Sequence, residues 1–282
     1  MKNVLIPTDF SDNARHALNY AQHLFKAEAC TFHILHCYTP AFYRMDYVMG
    51  GPEVSAIPDT GVDLSLAGLE QTLEDAKRDF PNPLHRFEMR SEFNTLTDAI
   101  QEVSQAVPLD LIVMGTRGAS GAKQFFLGSN TVFAIRKAQV PLLAVPERAR
   151  FHPLRTILFP HDYLYPVGRE DLQPLLQLAT AQDARVMLLH IDAPGGLTDS
   201  QKDHKAGLER GLGYLDYETV AVEAENIPQA ILEFTETHPI DLLAMMNRKH
   251  TVLERLLQRQ KVDQIGFHIQ IPFLVIPDHS AQ

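Results

Sequence analysis

VLIPTDF at Val4–Phe10 and ILFPHDY at Ile157–Tyr163 decide the architecture, because each is a short apolar run that ends in Pro-x-Asp. Their prolines, Pro7 and Pro160, stand 153 residues apart (160 − 7). DLIVMGTRG from Asp110 and DLLAMMNRK from Asp241 form a second matched pair at an offset of 131 (241 − 110). That register continues without a gap, placing Pro141 on Pro272 and Pro146 on Pro277. Between the anchors, HILHCY (33–38) matches MLLHID (187–192), with His36 on His190. Self-similarity of this kind marks repeated structural units. The chain therefore reads as two homologous domains in tandem, 1–147 and 153–282, with the boundary in the polar stretch Glu147–Pro153.

The offset falls by 22 residues (153 − 131), so the first half carries an insertion after His36, within CYTPAFYRMDYVMGGPEVSAIPDTG. A connection of that length is functional or disordered. A surface loop and a lid over a pocket are the two readings it admits.

Short apolar runs alternate with helix-period stretches in both halves. In the first half the expected strands are Asn3–Pro7, Thr31–Cys37, Phe87–Ser91, Leu111–Gly115 and Leu142–Val145. VLI, LIVM and LLAV are continuously apolar, as strands covered on both faces are. Ser11 is the expected N-cap of a helix over Asn13–Phe25. Thr95 or Thr97 caps a second helix, which Pro108 ends. Strand–helix alternation gives an α/β fold class: two doubly wound domains, each a five-stranded parallel sheet flanked by helices. In such sheets ligands sit beyond the carboxyl ends of the strands, where the strand order reverses.

Bulk properties exclude several functions. With 282 residues, 45% hydrophobic and 21% charged, the composition is that of a globular protein with two modest cores. A formal net charge of −10 disfavours nucleic acid and anionic membranes as partners, since both are polyanions. Cys30 and Cys37 are the only cysteines, too few for a disulfide framework, which points to a reducing compartment. The first residues reach Asp9 and Asp12 too early for a secretory signal. No apolar run approaches the roughly 18 residues that cross a bilayer, so the expected location is the cytoplasm.

Chemistry concentrates at the end of the fourth strand, in MGTRGASGAKQFFLGSNTVFAI. Gly115, Gly118 and Gly128-Ser129 there form the pattern G-x2-G-x9-G-[ST]. Gly115 ends a buried strand where a side chain blocks a ligand. Gly118 permits a turn with outward-facing amides. Ser129 is the expected N-cap of a helix over Asn130–Ala138, whose first-turn amides attract an anion. Arg117 and Lys123 add positive charge. The arrangement is a candidate phosphate cradle, and its alternative is a glycine-rich turn before an ordinary capped helix. Neither GxxxxGK[ST] nor a GxGxxG after the first strand is present. Asp9 ends the first strand, where it either accepts hydrogen bonds from a ribose or adenine or caps the next helix. Cys37 lies against a base or is a small buried residue. His36 and His190 recur, as structural histidines do. His33, His36 and Cys37 lack the geometry of a zinc site.

Together, VLIPTDFS, HCY and the glycine pattern resemble the universal stress protein family, and the resemblance covers essentially the whole chain as two copies. The glycine pattern matches the family's ATP-binding signature without departure. The resemblance implies that Pro7, Thr8, Asp9 and Cys37 border base and ribose, with Met114 and Gly115 beside them. It further implies that Arg117, Gly118, Gly128, Ser129 and Asn130 serve the phosphates of ATP, accompanied by Mg2+ or Mn2+. Family members commonly dimerise through the last strand. This implies an intrachain pseudo-dimer using Val140–Val145 and Ile271–Ile276, with a homodimer of chains beyond it. The second copy departs from the pattern: the 131 offset sets Met246 on Gly115, Lys249 on Gly118, Arg259 on Gly128 and Gln260 on Ser129. That half is expected not to bind ATP in the family manner, and Arg248, Lys249, Arg255, Arg259 and Lys261 are read as a solvated basic face. No GxSxG elbow or HExxH motif marks an enzyme. The expected function is a nucleotide-dependent regulatory protein of the stress response with a protein partner. The alternative is a scaffold that needs no nucleotide.

Overall fold

The computed structural model describes residues 1–38, 60–116, 128–137, 139–192, 196–248, 253 and 270–278. Most of the stretch read as a surface loop or lid, 39–59, lies outside them, as do Arg117, Gly118 and Lys123, and in the second half Lys249, Arg255, Arg259, Gln260 and Lys261.

Two compact units change over at Ala138 and Gln139. The first contains β1 (Lys2–Pro7), α1 (Asp12–Leu24), β2 (Cys30–Cys37), α2 (Thr60–Asp79), β3 (His85–Glu92), α3 (Leu96–Ala106), β4 (Leu111–Gly115) and α4 (Ser129–Lys137). Its strands are parallel and ordered β3-β2-β1-β4. The second contains β5 (Leu142–Val145), β6 (Thr156–Pro160), α5 (Arg169–Gln182), β7 (Arg185–Asp192), α6 (Asp199–Leu212), β8 (Tyr217–Glu223), α7 (Ile227–Thr237), β9 (Leu242–Asn247) and β10 (Phe273–Pro277). Its order is β5-β10-β9-β6-β7-β8. Only β5 runs against the others, pairing antiparallel with β10 in the register Phe273↔Ala144 and Leu274↔Leu143. The chain is thus α/β and doubly wound, each half giving five strands. In the first half the order reverses between β1 and β4, and in the second between β6 and β9.

All residues of β4, β5 and β10 are buried, as are Val4, Leu5 and Ile6 of β1, as continuously apolar strands covered on both faces are. At the far side of the second unit, β8 alternates between half-buried and exposed residues, and its sequence YETVAVE alternates with it. Ser11 caps α1 as expected, its Oγ accepting the Ala14 N–H at 3.2 Å. Ala14, Ala17, Leu18, Ala21 and Leu24 form the helix's buried stripe. Thr95, not Thr97, caps α3. The helix after the glycine pattern differs from expectation. It begins at Ser129, and the cap position falls on Gly128, whose carbonyl accepts the Val132 N–H at 3.0 Å.

One repeated device was not read from the sequence. Asp110 Oδ2 accepts the Asn3 N–H at 2.7 Å, and Asp241 Oδ2 accepts the Arg155 and Thr156 N–H groups at 2.7 and 2.9 Å. Each carboxylate pins the start of one half's first strand to the start of its fourth. The aspartates that open the second matched pair are therefore structural.

Candidate functional site

The site of the first half is assembled at the carboxyl ends of β1, β2 and β4. Parallel pairing sets Pro7 opposite Leu35 and Leu5 opposite Ile112, so the last residues of the three strands lie side by side. Beyond β1 the chain turns through three short hydrogen bonds. Thr8 Oγ1 accepts the Phe10 N–H at 3.0 Å, Asp9 Oδ1 accepts the Ser11 N–H at 3.1 Å, and Ser11 Oγ then caps α1. Such side-chain-to-backbone bonds two residues on substitute for a backbone turn. Asp9 is exposed and Thr8 buried. The capping role weighed for Asp9 is realised in part: the carboxylate braces the residue that caps the helix.

The turn bends through Phe10, which has φ +63°, a left-handed conformation that costs a non-glycine residue about 1–2 kcal/mol. Tyr163 repeats it in the second half with φ +56°. There His161 Nδ1 accepts the Tyr163 N–H at 2.9 Å, and Asp162 Oδ1 accepts the Leu164 N–H at 3.1 Å. The recurrence of Pro-x-Asp therefore follows from the turn itself.

At the end of β4, Met114 is buried and Gly115 packs against α1. A Cβ on Gly115 would stand 2.7 Å from Asn13 Cγ and 3.0 Å from the Asn13 carbonyl oxygen. The approach of α1 by itself opposes a side chain at this position. The start of α4 is fastened to the same strand end. The Gly128 N–H donates to the Thr116 carbonyl at 2.6 Å, and Thr131 Oγ1 donates to the Gly115 carbonyl at 3.0 Å. The first turn of α4, with Ser129 and the exposed Asn130, is thereby held at the point where strand order reverses. Thr131 was not singled out in the sequence; a hydroxyl two residues into a helix that follows Gly-Ser was the available signal.

Cys37 ends β2 half-buried. Burial pushes its thiol up to about 12, and the carboxylates of Glu92 and Glu102 push the same way. A thiol held neutral presents a soft surface and no nucleophile. His36 is structural. Its Nδ1 shares a hydrogen bond with Ser65 Oγ at 2.8 Å, Ser65 Oγ meets Ser91 Oγ at 2.7 Å, and its ring lies 4.3 Å from that of Phe10. Burial holds His36 below its ordinary pKa against the opposing effect of Asp9. Among the described residues no group of three His, Cys, Asp or Glu side chains is arranged to hold a metal ion.

The corresponding region of the second half is built differently. Met246 occupies the place of Gly115 and is buried. Arg248, read from the sequence as part of a solvated face, is only 7% exposed. Its Nε lies 2.8 Å from Asp278 Oδ2, its Nη2 is 3.2 Å from Asp278 Oδ1 and 3.6 Å from Asp171 Oδ2, and its Nη1 donates to the Pro166 carbonyl at 2.8 Å. A guanidinium cannot shed its proton on burial, so carboxylates must enter with it. The recess left here is lined by Pro160, His161, Asp162, Tyr165, Met246 and Arg248. His161 is pushed down to about 3 by burial first, then by Arg248, His190 and His204. Among the described residues, the recess thus holds a neutral imidazole and a cation matched by two carboxylates.

A doubly wound sheet with a helix start fastened at the reversal of strand order defines a broad class of α/β proteins. The family follows from the sequence: residues 1–146 match the model of the universal stress protein family, and the chain belongs to that family. It is 26% identical over 297 residues to universal stress protein Slr1230 of Synechocystis sp., covering 97% of this chain and 99% of that one. It is 24% identical to universal stress protein MJ0577 of Methanocaldococcus jannaschii, over 52% of this chain and 96% of that one. The fold is shared with the crystal structure of a universal stress protein from Archaeoglobus fulgidus, at a TM-score of 0.68 and 17% identity, covering 98% of both chains.

Proposed function

We propose that the first half binds ATP or a closely similar adenine nucleotide and that the second half does not bind it in that manner, so that the protein acts as a nucleotide-dependent regulator. The observation that carries this reading is the attachment of α4 to β4. Two hydrogen bonds, Gly128 N–H to the Thr116 carbonyl and Thr131 Oγ1 to the Gly115 carbonyl, hold the positive end of a helix dipole at the reversal point beside Asp9. Free first-turn amides and the dipole suit a phosphate chain. In this reading Pro7, Thr8, Asp9, Cys37, Met114 and Gly115 border base and ribose, and Arg117, Gly118, Gly128, Ser129 and Asn130 hold the phosphates. Mg2+ or Mn2+ enters with the nucleotide, ligated chiefly by phosphate oxygens. The two repeats, 1–147 and 153–282, have different tasks. The first gates and the second, with Arg248 already matched by Asp278 and Asp171, supplies a fixed surface for a protein partner. The expected setting is the cytoplasm, as a tandem chain that pairs its own last strands, with a homodimer of chains beyond it.

Calorimetric titration of the stripped protein with ATP and Mg2+ tests this. One site per chain, lost in Gly118→Val, is expected. Two sites refute the silence of the second half, and no binding leaves the nucleotide-independent scaffold.

A further inference from the structure

The left-handed turn that carries Asp9 is held from behind by one aromatic side chain. The Phe10 ring lies 4.3 Å from the His36 ring at 31°, and His36 Nδ1 is tied through Ser65 of α2 to Ser91 of β3. Gly68, one turn further along α2, admits that ring: a Cβ there would stand 2.5 Å from Phe10 Cζ and 2.6 Å from Cε2. Ser65 has no exposed surface. An aromatic residue at φ +63° persists only where its surroundings over-determine it, and here β2, through His36, and α2, through Gly68, meet at its ring while Ser65 ties both to β3. The second half repeats the strain with other partners. The Tyr163 ring lies 4.9 Å from His190 and 5.1 Å from His161, while α6 holds the turn by its carbonyls, Gln201 Nε2 donating to the Asp162 carbonyl and His204 Nδ1 lying 2.9 Å from the Tyr163 carbonyl.

We infer that Phe10 is the positioning residue of the first half's nucleotide site: its ring, locked between His36 and Gly68, fixes the turn that presents Asp9, and Ser65 extends that hold to α2. This rests on the nucleotide reading above. Phe10 itself touches only protein; it acts through Asp9. Since α2 opens at Thr60, at the end of the inserted stretch, the same contact links the ligand turn to that helix.

The tandem repeat supplies the control. Glycine takes φ +63° without strain, so Phe10→Gly removes the ring and leaves the backbone conformation allowed. If the presenting turn is then populated about one tenth of the time, the apparent Kd for ATP rises about tenfold. Phe10→Tyr, the residue that stands in the second half, restores wild-type affinity. Tyr163→Gly imposes a comparable structural loss on the other half and leaves ATP affinity unchanged. The measurement is calorimetric titration of the full chain with ATP and Mg2+, with circular dichroism confirming the fold of each variant. If Phe10→Gly does not fold, Ser65→Ala takes its place, with an expected weakening of about threefold on the same logic. Wild-type affinity in the folded variant overturns the inference and spares the nucleotide reading. Equal weakening by Tyr163→Gly also overturns it, because the effect is then general destabilisation. A wild type that binds no ATP overturns both.

Discussion

His161→Thr is expected to flatten the acid side of the stability profile. In the native protein His161 is buried and its pKa lies at about 3, against an ordinary value of 6.5. The folded state thus resists a proton that the unfolded chain accepts. Stability from this group is fully present above about pH 6.5, declines as pH falls, and stops declining only near pH 3, where the folded state is protonated too. The loss at pH 5 relative to pH 8 amounts to about 2 kcal/mol, because at pH 5 the unfolded imidazole is protonated over neutral by about thirtyfold while the folded one stays neutral. Threonine suits the substitution because the first half already uses it: Thr8 Oγ1 makes the same bond to Phe10 that His161 Nδ1 makes to Tyr163. The turn bond is kept and the titration removed. Any pH-independent cost of the smaller side chain cancels in the difference of differences. Urea unfolding followed by far-ultraviolet circular dichroism at pH 8 and pH 5 gives that quantity, and the chain's lack of tryptophan makes dichroism the better probe. Wild type is expected to lose about 2 kcal/mol more than His161→Thr between the two pH values. Equal losses, within about 0.5 kcal/mol, refute the claim that burial of a neutral His161 shapes the acid limit.

Gly115→Ala forces a methyl against Asn13 and the α1 backbone, and is expected to lower stability by about 1–3 kcal/mol, read as a fall in Tm. Asn13→Ala in the same chain should recover part of that loss, because the side-chain contact is removed and the backbone contact remains. Asp278→Ala leaves Arg248 buried with one carboxylate at 3.6 Å; a loss of about 3 kcal/mol is expected, largely recovered by adding Arg248→Met. A double-mutant cycle in urea tests this, and a neutral Asp278→Ala sinks it. Both thiols are pushed up to about 12, so native alkylation by iodoacetamide at pH 8 should run about a thousandfold slower than for free cysteine; a Cys37 that labels at the free rate contradicts its place in the site.

The architecture was legible because the signals that carry it are local. Apolar runs of a few residues, Pro-x-Asp at two matched positions and caps such as Ser11 each describe their own neighbourhood, and β4 and β5 match the expected bounds residue for residue. What escaped was long-range. That Gly115 is demanded by Asn13, over a hundred residues earlier, cannot be seen from a strand that ends in glycine. Asp110 was noted as part of a repeat but not as the group that receives Asn3, for the same reason. Arg248 was misjudged because its neighbours in sequence are basic while its neighbours in space, Asp171 and Asp278, are acidic. The cap of α4 shifted by one residue because Gly128 and Ser129 both suit that position, and the bond from Gly128 to Thr116 decides between them.

The two halves separate what the fold needs from what a ligand needs. Asp9 and Asp162 brace the same left-handed turn, so an aspartate at this position carries no information about nucleotide. The discriminating feature is the arginine after the fourth strand. Arg248 of the second half is matched by Asp278 and Asp171. At the corresponding places in the first half stand Glu147, which is exposed, and Leu18, which is buried and apolar. The carboxylate of Asp171 is also spoken for by its own helix, since it accepts the Gly168 N–H at 3.2 Å. A second-half arginine released from this pair would leave two largely buried carboxylates without their cation, which opposes the entry of a phosphate in addition to the bulk of Met246. On the proposed reading, restoring glycine at Met246 is therefore expected to be insufficient to create a second phosphate site. The internal ion pair has to be dismantled with it.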